Sequence, residues 1–316
     1  MNDRYRTYQP VYNRPRNKRQ PPKKHRGKRF IVLIVIIMIT LFGYKYLNSN
    51  SSGSATAEQP QKRKVVKKKV EAVPISDNTW NDMRTKVDTI IAANPAINIG
   101  VSVIDDKTGV KQDYGLQEPY HGASTTKVLT AVAFLHQVEQ GKYTLNTQLG
   151  GRTANDHLRL MLNQSNNTSW AALNSAVGYS QLTAYAHENG INSYQYIGNL
   201  MKPSDQALLL QKVYGRKLVN EEHTALMLGY MQNTNNEDMI PVVAPAGATF
   251  YHKYGQLEDR LHDGAIIDYK KRPLILVIYT KGGGNTFGTT YTARTQLIQT
   301  ISKTVIDTFY KIPATN

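Results

Sequence analysis

Residues 120–141 read YHGASTTKVLTAVAFLHQVEQG. Val128, Leu129, Ala131, Val132, Phe134 and Leu135 leave no polar stripe, so a helix from Ser124 to about Gln140 belongs in the middle of a domain. Yet its first turn carries Ser124 and Lys127, three apart and therefore on one face. Burial and the positive end of a helix both disfavour an ammonium, so Lys127 is poised towards the neutral amine. A neutral amine beside a hydroxyl is the pairing that activates a serine nucleophile. Two plainer readings compete: Ser124 as an N-cap, and Lys127 as a lysine snorkelling to solvent.

The flanking sequence supplies a frame. Trp80, Met83, Val87, Ile90 and Ile91 predict a helix over 78–93, and INIGVSVID (97–105) alternates as a strand with one face on a core. DDKTG (105–109) is a turn, and a second strand follows at 110–114. After the central helix come helices at about 153–163, 167–176, 181–188 and 205–214, the last opened by Pro203-Ser204-Asp205. Strands return at 248–255, 263–269 and 273–280, and a closing helix carries Leu297, Ile298, Ile301, Val305 and Phe309. The order predicts an α+β domain over 75–316. One antiparallel sheet is flanked by the terminal helices, and the all-helical insert forms a second lobe.

Two further short motifs fall on this frame. Ser165-Asn166-Asn167 is S-x-N between two helices of the insert, and Lys253-Tyr254-Gly255 is K-x-G on a strand entering the final sheet. Each alone is weak: Ser165 and Asn167 also suit helix caps, and Lys253 also suits a surface strand. His121 and His252, beside the motifs, read as packing residues. Together with S-x-x-K at 124–127, in order and on the expected elements, the motifs resemble those of the serine β-lactamase and penicillin-binding protein superfamily. The closest likeness is to class A β-lactamases. LMLNQSNNTSW and MKPSDQALLLQ also look like that family's versions of their segments, and the likeness spans about 78–310.

The resemblance implies a β-lactamase-like fold and an acyl-enzyme on Ser124. It implies Lys127 as the base, Ser165 as the relay to the leaving nitrogen, and Asn167 holding the substrate amide. Lys253 would attract the substrate carboxylate and tune Ser165. The backbone N–H groups of Ser124 and Gln256, which follows Gly255, would form the oxyanion hole. Tyr254, Gly255 and Gln256 line the substrate side.

Three departures stand out. Class A enzymes deacylate with a glutamate between the S-x-N lobe and the K-x-G strand, whereas NGINSYQYIGNLMKPSDQ (189–206) holds no acid before Asp205. Tyr254 stands where the family has Thr or Ser. Ser124 and Ser165 are only 41 residues apart, as though a rim of the cleft were missing. Asn166 in place of Asp is a mild change.

The net charge of +16 belongs to a tail: residues 1–71 hold 18 Lys and Arg against 3 Asp and Glu, leaving 21 against 20 elsewhere. A nearly neutral domain lacks the electrostatic footprint of a nucleic-acid binder. Cysteine is absent, and the eight histidines have no ligand spacing, so neither a disulfide nor a metal or cofactor is implied. FIVLIVIIMITLFGY (30–44), extended to Leu47, runs roughly 27 Å as a helix, enough to span a bilayer. Eleven Lys and Arg precede it against Asp3 alone, predicting a cytoplasmic tail (1–29), a single anchor (30–47) and an extracellular domain. The alternative is a signal peptide cleaved near SATA (54–57). Residues 48–74 read as a disordered linker whose basic run, 62–69, suits an anionic wall polymer or lipid.

These features point to a membrane-anchored serine hydrolase or acyltransferase acting on D-Ala-D-Ala-like wall peptides, with β-lactams as mimics. The missing glutamate favours penicillin-binding behaviour with slow deacylation. A true class A-type β-lactamase and a non-catalytic wall- or partner-binding module on the same fold are the alternatives.

Overall fold

The structure is a computed structural model that describes residues 74–312. The tail at 1–29, the anchor at 30–47, the basic run at 62–69 and all of the linker except Pro74 lie outside the described residues. Among the described residues no helix is long and apolar enough to cross a membrane.

Helix α1 (Asp77–Ala92) starts where Ser76 accepts a hydrogen bond from the N–H of Thr79, a cap worth about 1 kcal/mol. It leads into β1 (Ile97–Asp105) and β2 (Lys111–Gly115). Two short strands, β3 (Tyr120–His121) and β6 (Leu200–Met201), pair with each other beside the helical lobe. That lobe contains α2 (Lys127–Glu139), the hairpin β4–β5 (Gln148–Leu149, Arg152–Thr153), α3 (Ala154–Asn163), α4 (Asn167–Val177) and α5 (Tyr179–Glu188). Helices α6 (Pro203–Tyr214) and α7 (Glu221–Tyr230) follow, then β7 (Thr249–Leu257), β8 (Arg260–Tyr269), β9 (Arg272–Gly282) and α8 (Gly288–Tyr310).

The five long strands form one antiparallel sheet in the order β2-β1-β9-β8-β7. On one face α1 and α8 pack Trp80, Met83 and Val87 with Ile298, Ile301, Val305 and Phe309 against Val101, Val103 and Ile278. On the other face the helical lobe buries its core around α2, joining Ile266, Ile275 and Val277 of the sheet. The sheet flanked by terminal helices and the helical second lobe are as the sequence predicts.

Three local expectations change. Strand β1 is buried on both faces, not one, because α6 covers the side opposite α1 and α8. There is no room for a side chain at Gly100, where an added Cβ would lie 2.8 Å from Pro203 Cγ, and Ser102 is satisfied by donating to Asp113. Second, Ser124 is not in the α-helix: Ala123–Thr126 form a 3₁₀ turn and α2 begins at Lys127. Third, α7 was not expected, because its apolar residues follow no helical period. Its cap was readable, since Asn220 accepts from the N–H of His223 and Glu221 and Glu222 occupy the first turn.

The β8–β9 hairpin turns on Lys270 and Lys271, with φ of +53° and +60°, between the paired Tyr269 and Arg272. Both sit in the left-handed region that a two-residue type I′ turn requires and that L-lysine disfavours. Replacing them with Asn and Gly (Lys270→Asn, Lys271→Gly) is expected to stabilise the domain by about 1 kcal/mol or more. The urea midpoint should rise at constant slope; a midpoint that stays put or falls would contradict the account.

Candidate active site

The site forms where the 3₁₀ turn, the α3–α4 junction and β7 meet. Ser124 is half-buried in the turn, and the backbone N–H of Lys127 closes that turn onto the carbonyl of Ser124. Lys127 therefore follows Ser124 by one 3₁₀ turn, the spacing at which residues i and i+3 share a face.

The turn is held in a strained shape. Ala123 has φ of +48°, which costs about 1–2 kcal/mol for a residue with a Cβ. Asn199 holds it there: its backbone carbonyl accepts from Gly122 (2.8 Å), its Nδ2 donates to the Ala123 carbonyl (2.8 Å), and its Oδ1 accepts from Thr126 Oγ1 (2.7 Å). Thr125 hydrogen-bonds to Tyr279 of the sheet, and the Ala123 N–H donates to His121 Nδ1 at 3.1 Å. Gly255 of β7 packs on the same turn, where an added Cβ would lie 2.8 Å from the Ser124 nitrogen. That close approach explains the glycine of K-x-G. It also brings the following residue, Gln256, alongside, with its side chain tied to the Thr286 carbonyl.

Lys127 has no solvent exposure. Its Nζ donates to the Ser165 carbonyl (2.6 Å), to Asn167 Oδ1 (2.7 Å) and to Ser165 Oγ (3.3 Å), and it lies 5.3 Å from the Trp170 ring centroid. Burial lowers its pKa to about 7. It is therefore an enclosed amine of lowered basicity and not a snorkelling lysine.

Ser165, with φ of +53°, lies just before α4, whose N-cap is Asn166, accepting from the N–H of Ser169 at 2.8 Å. Its Oγ also accepts from Lys253 Nζ at 3.1 Å, so one hydroxyl bridges two lysines. Lys253 is equally buried. Burial first, and repulsion from Lys127 second, push its pKa well below the lysine range, against an opposing pull from Asp263. A hydroxyl between two amines of lowered basicity can accept a proton from one side and pass its own to the other.

The structure thus brings Ser124, Lys127, Ser165, Asn167, Lys253 and Gly255 into one constellation. Tyr254, at the edge of β7, sets its ring centroid 4.1 Å from Lys253 Nζ and its hydroxyl 3.1 Å from Asn235 Oδ1. Sequence reading missed Asn199 and Asn235, since neither belongs to a motif. It also took His252 for packing: the ring is fully buried, but between Asp263 (3.0 Å) and Glu237 (3.3 Å). Burial alone would lower the pKa of His252, but the two carboxylates outweigh it and raise it to about 9, so the ring is a buried cation.

Beside Lys127 and the turn lies a cavity of about 310 Å³, walled by His121, Trp170, Asn174, Tyr179, Tyr196 and Asn199, with no Asp or Glu in its lining. Asp205 is not free for catalysis; it caps the adjoining loop by accepting from the Ser193 N–H at 2.7 Å. His121 cannot serve as base for water in its place. Its Nδ1 lone pair is used by Ala123, so the neutral ring carries its proton on Nε2, and burial keeps the ring neutral.

No curated protein sequence matches the chain. Among solved structures, PBP-A superposes with a TM-score of 0.67 at 20% identity, covering 73% of this chain and 96% of that one. A variant of PBP-A, described as its acyl-enzyme complex with penicillin G, gives 0.68 at 19% identity, covering 73% and 97%. A β-lactamase from Chitinophaga pinensis gives 0.65 at 19% identity, covering 72% and 99%. At these identities the likeness is one of fold. The sequence profile of the β-lactamase enzyme family matches residues 82–309, most of the described chain. The protein belongs to the β-lactamase enzyme family and has its serine-hydrolase fold.

Proposed function

We propose that the protein is a membrane-anchored acyl-transferring serine hydrolase. Its N-terminus is cytoplasmic, and its folded domain works at the outer face on wall peptides of the D-Ala-D-Ala type, for which β-lactams are mimics. The observation that carries this reading is the enclosed Lys127, one 3₁₀ turn from Ser124 and joined through Ser165 to Lys253. Ser124 Oγ attacks the carbonyl carbon while its proton passes to Lys127 Nζ. The C–N bond then breaks as a proton reaches the leaving nitrogen through Ser165 Oγ, leaving an ester on Ser124. The backbone N–H groups of Ser124 and Gln256 hold the oxyanion, and Asn167 holds the acyl-side amide.

Deacylation is slow on this reading, because the segment 189–206 offers water no free carboxylate, Asp205 being tied to the Ser193 N–H, and His121 presents the wrong tautomer. The protein then behaves as a penicillin-binding enzyme. Full-length protein in detergent, exposed to excess penicillin G and followed by intact mass, is expected to gain one adduct on Ser124 that persists for hours. An adduct that clears within seconds while drug is consumed would make it a β-lactamase instead. The basic run at 62–69 would hold the domain close to anionic wall polymer or headgroups.

A further inference from the structure

The K-x-G lysine is the cation that a substrate carboxylate would be expected to meet, yet Lys253 has no exposed surface. Its Nζ is taken up by Ser165 Oγ, by the Tyr254 carbonyl at 3.0 Å and by the face of the Tyr254 ring. The ring is not a loose flap. Its hydroxyl is bound to Asn235, and Asn235 is fastened to the end of α3 through the Asn163 carbonyl (3.1 Å) and the Gln164 carbonyl (3.3 Å). Asn163 in turn donates to the carbonyls of Gln232 and Asn233. The next turn of that loop is gripped from beneath by His252, through Thr234 Oγ1 (3.0 Å) and Glu237.

Among the described residues, neither Arg260 nor Arg294 takes over. Arg260 is engaged by Glu258 and Asp259, and Arg294 is buried among the Asp259 and Gly282 carbonyls and Thr280. What the leaving-group side presents is a neutral phenol and amide. Burial holds the Tyr254 hydroxyl above its usual pKa, so it stays protonated.

We infer that Tyr254 seals the carboxylate subsite, so that the enzyme selects acyl donors whose leaving group is uncharged beyond the scissile bond, such as an internal peptide bond or an ester, over donors ending in a free carboxylate. The inference rests on the acyl-enzyme reading above and narrows its substrate class. A carboxylate entering this site meets an aromatic face, whose negative quadrupole repels it, and must be desolvated without a counter-ion. A neutral carbonyl is spared that penalty and can accept from the second N–H of the Asn235 amide, the first being given to the Gln164 carbonyl.

The test compares the acylation rate of the full-length protein by penicillin G, which carries the carboxylate, with that by penicillin G methyl ester, which does not. The wild-type protein is expected to react with the ester at least as fast as with the acid. Tyr254→Thr, which removes the ring and keeps a hydroxyl, is expected to shift the acid-to-ester rate ratio about tenfold or more towards the acid, the low end of a close charge-pair coupling. Tyr254→Phe, which keeps the ring, should leave that ratio near the wild-type value. A wild-type protein at least tenfold faster with the acid, or an unchanged ratio in a folded Tyr254→Thr, overturns the inference while leaving the acyl-enzyme reading intact. Labelling by neither compound, in the wild type and the threonine variant alike, overturns both.

Discussion

Ser124→Ala, exposed to penicillin G under conditions that saturate the wild type, is expected to carry no adduct while unfolding at the same temperature within a degree or two. Removing the attacking oxygen leaves no other group on the strained turn, because Thr125 and Thr126 are fully committed to Gly122, Tyr279 and Asn199. The stability of the turn rests on backbone and Asn199 contacts, not on the Ser124 hydroxyl, so loss of labelling and loss of fold are separable here. An adduct in the variant, located by peptide mapping to another residue, would remove Ser124 as nucleophile. A large fall in unfolding temperature would mean the hydroxyl holds the turn after all.

Lys127→Met should change activity and stability in opposite directions. Without the base, acylation is expected to slow by about 10²–10⁴-fold, and the rise of the wild-type rate with pH through about 7 should vanish. Stability should increase. The folded pKa of Lys127 lies below that of the unfolded chain, so between about 7 and the ordinary lysine value the unfolded state binds more protons. Wild-type stability therefore climbs with pH across that window, and the full penalty of the buried ammonium, on the order of a few kcal/mol, is present below it. Methionine fills similar space without that penalty. The variant should outlast the wild type most clearly at pH 6, with the margin narrowing towards pH 10. Melting curves at both ends decide the matter: a variant less stable at pH 6, or a margin that ignores pH, would mean that the hydrogen bonds of Lys127 to Ser165 and Asn167 outweigh its desolvation.

How far the sequence reaches can be judged residue by residue. The helix at 77–92 could be read because Trp80, Met83 and Val87 carry a period that follows from burial, whereas the alternation of INIGVSVID located strand β1 but not its burial on both faces. The three motifs locate the constellation because each fixes its side chain on a separate rigid element. The rest depends on long-range meetings that no local pattern encodes. Asn199 sits in an irregular loop, and its three bonds to the turn exist only because β6 pairs with β3. The charge on His252 depends on Asp263 across the β7–β8 ladder and on Glu237 from a loop. Tyr254 could be recognised as unusual, but which way its ring turns is decided by Asn235, anchored on the far end of α3. Helix α7 was hidden for a different reason: its buried face of Thr224, Met227 and Leu228 includes a threonine, while Ala225 and Gly229 lie exposed, so its apolar residues follow no single stripe.

The pairing of β1 with β9 ties residues 97–105 to residues 272–282. Such distant partners give the domain a high contact order, and the entropy of closing that long loop must be met before the sheet returns any stability. A chain emerging from its N-terminus can assemble the helical lobe early, but β1 stays a strand without its central neighbour until almost the last residues appear. Lys253 stands on the β7–β8 hairpin, which joins β1 only through β9, so the two lysines are not fixed against each other until β9 is in place. The nucleophile is thus created late, by completion of the sheet, and a nascent or C-terminally truncated chain has the motifs without the chemistry.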